Sequence, residues 1–321
     1  MIANAFRLAG RRPLTFAVVL GVALFVANVI ALPRFVAGGQ LAPTLGTLAP
    51  FAIAGMASTP AFLSGGGGID LSIAPLMGLL NIVLVTQLLG TPFGSPLVAI
   101  PILLLLGMAI GAVNGLLIAW LRFPPVIATL GMFFVLSGVN LRLVPDPVTT
   151  STHWTEALAG SVGPIPGAVL TVGLPLVLWA MLRRTAYVET LLAVGDHDAT
   201  AFSAGVRVEA VRVSAYALGG LIAAVGGIAL TGLVRSADAQ VFNGYILAAL
   251  AAVALGGTNL AGGRGGLLAS AVGASCIFLL DNLLAALHVS SEYVQVAYGG
   301  ALLFAVVLGA LLFTRPAEAA A

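Results

Sequence analysis

A carboxylate closes the most unusual stretch of this 321-residue sequence. In Leu63-Ser64-Gly65-Gly66-Gly67-Gly68-Ile69-Asp70-Leu71-Ser72, four consecutive glycines interrupt sequence that is otherwise apolar over membrane-spanning lengths. Each glycine costs a helix about 1 kcal/mol against alanine, and unpaired N–H and C=O groups are not tolerated in hydrocarbon. The segment is therefore expected to leave the helix and either line a cavity or pack against protein. Two chemistries are open to Asp70. It can cap a helix running over 71–89, or it can present a carboxylate to a polar solute.

Other polar side chains interrupt apolar runs at Asn81, Gln87, Asn114, Thr129, Asn140, Asp281 and Asn282. Amides, hydroxyls and carboxylates can bind a hydroxyl-rich solute, but they also tie helices together at about 0.6–2 kcal/mol each. For a single residue the structural role is the commoner one. Asp281 is the exception, because an ionisable group so deep in an apolar helix is costly; its alternative is a protonated carboxyl in a helix contact. The candidate lining of a solute path is Gly66, Gly67, Gly68, Asp70 and Ser72 from the glycine segment, with Asn114, Thr129, Asp281 and Asn282.

A second glycine-rich run, Gly256-Gly257-Thr258-Asn259-Leu260-Ala261-Gly262-Gly263-Arg264-Gly265-Gly266, joins two apolar segments. It is not a phosphate-binding loop, which needs a lysine before its Ser or Thr. The sequence has no lysine, so any ATP hydrolysis must occur on another chain. The polar stretch Leu191 to Arg207 is short, helix-compatible and closed by Gly205, a residue suited to a helix C-terminus. It reads as a docking element. His197 between Asp196 and Asp198 does not read as a metal site, because successive helical residues cannot all face one ion.

The elements that must position these residues follow from composition. The chain is 60% hydrophobic and 7% charged, with a mean hydropathy of +1.13, whereas soluble domains carry about 25% charged residues. Twenty-four charged side chains, 13 basic and 11 acidic, cannot clothe a soluble domain of this length, so most of the exterior must face lipid. A nucleic-acid surface is excluded because the arginines do not cluster; they punctuate the ends of apolar runs. The lone Cys276 sits in an apolar run and reads as packing.

Apolar windows recur near 14–32, 45–64, 71–90, 96–121, 125–144, 167–183, 210–234, 244–257, 265–287 and 293–314. They predict one all-α polytopic membrane domain over 1–321, with about ten transmembrane helices and glycine-broken segments. A cytoplasmic segment falls at about 184–207 and an outer loop at about 145–166. The first window follows Arg7, Arg11 and Arg12 and reads as an uncleaved anchor. Threading places ten arginines inside (Arg7, Arg11, Arg12, Arg122, Arg183, Arg184, Arg207, Arg212, Arg264 and Arg315) and three outside (Arg34, Arg142 and Arg235). That asymmetry puts both termini in the cytoplasm. Trp120 and Trp179, near predicted inner ends of helices, read as interface anchors.

Four ordered motifs give the chain a resemblance to the ribose-type permeases of carbohydrate ABC importers over nearly its whole length. They are Ser64 to Ser72, Pro124-Pro125 with Thr129-Leu130-Gly131, the run 191–205, and Leu255 to Gly265. Two departures from the family pattern fall at Asp196-His197 after Gly195 and in the missing basic residue before Gly205. The resemblance implies a bacterial inner-membrane, multi-pass subunit that imports a monosaccharide or similar solute. Its partners would be ABC ATPase subunits, an extracytoplasmic solute-binding protein and a second permease copy or homologue. Gly195, Asp196, Ala199, Phe202 and Gly205 would form the ATPase-coupling surface. No cofactor, metal or catalytic residue of its own is implied. A permease for nucleosides or branched-chain amino acids and an ion-coupled secondary transporter using Asp70 and Asp281 remain as alternatives.

Overall fold

Every apolar window carries a helix, and the breaks fall mostly at proline, glycine and arginine, the last of them at His288 with φ 58°. The computed structural model describes residues 13–36, 39–151 and 154–313. Arg7, Arg11, Arg12 and Arg315, used above for orientation, lie outside the described residues. The first five helices are α1 (Pro13–Ala31), α2 (Leu41–Leu63), α3 (Ile73–Val83, continued by a π-helical turn Leu84–Leu88), α4 (Pro96–Ala119) and α5 (Pro125–Leu143). A short α6 (Glu156–Ala159) follows, then α7 (Gly167–Leu182), α8 (Ala186–Asp196), α9 (Asp198–Ser203) and α10 (Val208–Val234). The chain ends with α11 (Tyr245–Leu255), α12 (Leu267–Ala286) and α13 (Ser291–Phe313).

Among the described residues six helices, α1, α2, α4, α5, α10 and α12, are long and apolar enough to cross a membrane, and α7 with α8 makes a seventh candidate only as a pair bent by 87°. The expected count of ten is thus not reached on length. The shortness of α3 has a physical cause: it starts at Ile73 rather than Leu71, and every residue from Ile73 to Ile82 is buried. A helix wrapped in protein can end within the bundle, because protein rather than lipid meets its terminal backbone groups.

α10 forms the centre, packed on α4, α2 and α3. Its approach to α4 is set by Gly107, Gly111 and Gly115. A Cβ on Gly107 would overlap the Gly220 carbonyl oxygen, one on Gly111 the Tyr216 carbonyl oxygen, and one on Gly115 would lie 2.6 Å from the Val213 Cα. Lipid tails are as apolar as leucine, so close packing of this kind, rather than the hydrophobic effect, holds membrane helices together. On the other flank α12 packs on α2, α11 and α1, with the Cys276 Sγ 3.2 Å from the Ala17 carbonyl oxygen.

The connection 145–166 is more ordered than a plain loop. β1 (Val148–Thr149) pairs antiparallel with β4 (Ser236–Ala237), and β2 (Ser161–Val162) with β3 (Ile165–Pro166). Between them α6 wedges its backbone against Gly46 of α2, Gly167 of α7 and Gly232 of α10, and Glu156 pairs with Arg235 at 3.6 Å. Trp179 departs from the interface reading. The chain folds over it where α7 bends into α8, leaving it 6% exposed, while Trp120 stands 75% exposed beyond α4.

Candidate functional site

The first glycine run ends α2 and turns the chain toward α3. Gly65, Gly66 and Gly67 have φ of 70°, 63° and 73°, a conformation that side chains with a Cβ rarely adopt. Gly65 and Gly68 are buried, whereas Gly66 and Gly67 are exposed at the end of the bundle.

Three segments distant in sequence meet at this turn, backbone against backbone. A Cβ on Gly195 would overlap the Leu63 carbonyl oxygen, and one on Gly65 would lie 2.6 Å from the Gly195 carbonyl oxygen. One on Gly262 would lie 2.5 Å from the Gly65 Cα, and one on Gly263 2.8 Å from the Asp196 Cα. The Gly263 N–H donates to the Leu63 carbonyl at 3.3 Å. Both glycine-rich runs and the end of α8 therefore form one junction.

Beyond the junction lies the predicted docking element. Thr185 starts α8 by accepting the Tyr187 N–H at 3.2 Å. α9 closes in a Schellman arrangement: the Gly205 N–H donates to the Phe202 carbonyl at 2.9 Å, the Val206 N–H to the Ala201 carbonyl at 3.1 Å, and Gly205 has φ 85°. Asp196, Ala199, Phe202 and Gly205 are exposed, with Phe202 at 66%. Gly195 instead faces the junction. Arg212, at the start of α10, donates to Asp198 at 2.8 Å, and this guanidinium holds the Asp198 carboxyl below its ordinary value. The stability from that pair is present above the ordinary aspartate range and is lost only as pH falls through the lowered value; exposed pairs contribute at most about 1 kcal/mol.

On the α3 side of the turn, Asp70 is 3% exposed. Its Oδ1 accepts the Ser72 N–H at 2.9 Å and the Ser72 hydroxyl at 2.7 Å. Asn114 of α4 donates from Nδ2 to the Ser72 Oγ at 2.8 Å. Thr129 of α5 donates to the Ile69 carbonyl at 3.0 Å and to Pro125 of its own helix at 2.9 Å. The structure thus gathers Asp70, Ser72, Asn114 and Thr129 at one level, where Asp70 secures the turn before α3. Asp70→Ala would strand two buried donors of Ser72, at about 1–3 kcal/mol, whereas Asp70→Asn keeps an acceptor. We expect a lowered Tm in detergent for the alanine variant and a Tm near wild type for the asparagine variant.

Asp281 and Asn282 are not brought to this cluster. Asn282 donates to the Asn28 Oδ1 at 2.8 Å, and Asn28 donates to the Leu279 carbonyl at 2.8 Å, tying α12 to α1. Asp281 is hydrogen-bonded to Tyr298 of α13.

Several polar groups enter the site that the sequence reading did not single out for it. Asn81 donates to the Thr231 hydroxyl at 2.9 Å and to the Ser236 carbonyl at 3.0 Å, and Asn140 donates to the Pro75 carbonyl at 3.0 Å. The Oδ1 atoms of Asn81, Asn114 and Asn140 and the Tyr216 hydroxyl are buried without a hydrogen-bond partner. Asn81 stands on α3 itself, Asn114 bonds to the turn that leads into α3 and Asn140 to its first turn, so free acceptors able to meet hydroxyl or water donors flank α3. Tyr216 gave no signal in an apolar run, while Gly107, Gly111 and Gly115 had one in their four-residue spacing.

Comparison with known proteins gives the same direction. Residues 40–311 match the family described as branched-chain amino acid transport system / permease component. The ribose import permease protein RbsC of Escherichia coli K12 is 36% identical over 248 residues, 75% of this chain and 77% of the relative. That of Bacillus subtilis 168 is 34% identical over 248 residues, 75% and 76% of the two chains. The autoinducer 2 import system permease protein LsrC of Escherichia coli K12 / DH10B is 32% identical over 231 residues, 69% and 65%. No solved structure matches the chain.

Proposed function

The chain belongs to the family of permease components of branched-chain amino acid transport systems, and we propose that it imports a monosaccharide or similar small polyol as the membrane subunit of an ABC importer. ATP hydrolysis lies on separate ATPase chains, a binding protein delivers solute from outside, and a second permease copy or homologue completes the channel. The curated relatives are named for ribose and autoinducer 2, which favours a sugar-like solute over an amino acid.

The observation that carries the mechanism is the glycine junction. It joins the end of α8, which leads directly into the exposed α9, to the turn that holds Asp70, so a push on Phe202 and Ala199 passes through α8 to the start of α3. The free amide oxygens beside α3, with Asp70, Ser72, Asn114 and Thr129, supply the polar lining along which the solute passes. Asp281 and Asn282 support α12 against α1 and α13 in the same subunit. We read the ten apolar helices as ten crossings, the short ones completed by glycine-broken backbone, with both termini and α9 on the cytoplasmic side.

The test is Phe202→Glu. Exposed aromatic anchors commonly contribute about 2 kcal/mol to an interface, so the variant should insert with an unchanged Tm, lose co-purifying ATPase and lose uptake. Normal ATPase retention would remove α9 as the coupling element. Gly205 is a poorer probe, because its positive φ strains any replacement. Uptake of labelled ribose blocked by excess ribose supports the sugar reading; uptake of leucine, unaffected by ribose, would move it to amino acids.

A further inference from the structure

Two adjoining cavities open where α4 ends and α10 begins. The inner one, about 340 Å³, is lined by Gly66, Arg122, Phe123, Glu209, Arg212 and Tyr216 among others. The outer one, about 590 Å³, runs along the surface between the two helices past Leu116, Trp120, Val213 and Arg207. They share Ala119, Arg122 and Glu209, so they form one continuous groove.

The groove is rich in unanswered polar groups. The Arg212 Nε and the Tyr216 hydroxyl are buried without a hydrogen-bond partner, and Tyr216 is only 1% exposed. Among the described residues the ion pairs are Arg212–Asp198 and Arg235–Glu156, which leaves the Arg122 guanidinium and the Glu209 carboxylate without a counter-ion in a shared wall. Three guanidiniums line the groove, those of Arg122, Arg207 and Arg212, the last already paired with Asp198, beside one phenol and one carboxylate. A guanidinium suits phosphate oxygens through its planar fork, and a carboxylate suits a primary ammonium through charge-assisted N–H bonds. The apolar outer wall and Trp120, 75% exposed, place this pattern where a lipid headgroup meets its acyl chains.

We propose that the groove is a binding site for phosphatidylethanolamine, with the phosphate on Arg122, Arg212 and Tyr216, the ammonium on Glu209, and an acyl chain along Leu116 and Val213. The lipid then touches Arg212, whose other side holds Asp198 of α9, so headgroup binding bears on the docking element. The inference requires only that the chain spans a membrane and stands whichever solute is carried.

The experiment uses the full chain, purified in a maltoside detergent and delipidated, then titrated with dioleoyl phosphatidylethanolamine, phosphatidylglycerol or phosphatidylcholine, with bound lipid counted by native mass spectrometry. Quaternary choline cannot donate to Glu209, so the ethanolamine lipid should bind about tenfold more tightly than the choline lipid. Glu209→Gln should erase that preference, and Arg122→Gln should weaken both. Equal binding of the ethanolamine and choline lipids, an unaltered preference in Glu209→Gln, or tighter phosphatidylglycerol binding would each overturn the proposal. The wild-type comparison decides among headgroups even if a variant fails to fold.

Discussion

Gly195→Val is expected to abolish uptake and lower the Tm more than any other single replacement in the docking segment. The Cβ alone would overlap the Leu63 carbonyl oxygen, and the Gly263 nitrogen stands 2.6 Å away. Both neighbours are backbone, so no rotamer change relieves the overlap, and α8 must separate from the turn after α2. Overpacking a well-fitted site costs about 1–3 kcal/mol when side chains can yield, and values above about 4 belong to sites where they cannot. Gly195→Ala should show a weaker form of the same defect. Gly138→Ala is the control: nothing lies within 4 Å of its Cβ position, so the added methyl should be neutral or slightly stabilising. Thermal unfolding in detergent beside uptake in vesicles reads both effects, and a wild-type Tm for Gly195→Val would remove the junction from the account.

Gly111→Leu is expected to disrupt the α4–α10 seam on a comparable scale. Its Cβ would overlap the Tyr216 carbonyl oxygen and come within 3.1 Å of the Gly220 nitrogen. Small residues at this spacing let two helix backbones approach, and a leucine forces them apart. The consequence extends beyond stability, because Asn114 stands one turn along the same buried face and bonds to Ser72. Pushing α4 outward removes that donor from the Asp70 cluster. Uptake should therefore fall even in whatever fraction inserts and survives extraction. Retained transport at normal Tm would mean that the seam is looser than its geometry shows.

Particular elements show how much was legible in advance. The break at Gly65–Gly68 was readable because glycine's cost to a helix and the cost of bare backbone in lipid are properties of the residues themselves. Gly205 at the end of α9 was readable for a similar local reason, since a Schellman close needs a positive φ. Ser72, Asn114 and Thr129 were named among the polar candidates, but their gathering around Asp70 was not. Nothing in a sequence says which turn of α4 faces which turn of α3. Trp179 was misplaced for that same reason: an indole near a helix end suits an interface or a core equally, and the 87° turn into α8 decided for the core. Tyr216 and the row Gly107, Gly111, Gly115 were passed over because small and aromatic residues are commonplace in apolar runs.

The sequence by itself determined that this chain lives in a membrane, where its apolar runs are helical and where glycine breaks them, that it carries no lysine for a phosphate loop, and that one short polar segment stands apart from the apolar runs. These are sums of transfer and conformational free energies, and each residue contributes to them wherever it stands. The tertiary structure decided that Gly65, Gly195 and Gly262 meet, that α3 is interior, and that Arg122, Glu209 and Tyr216 share a groove. Small residues permit close approach without choosing a partner, and polar residues demand one without naming it. Only the packing of the whole chain makes that choice.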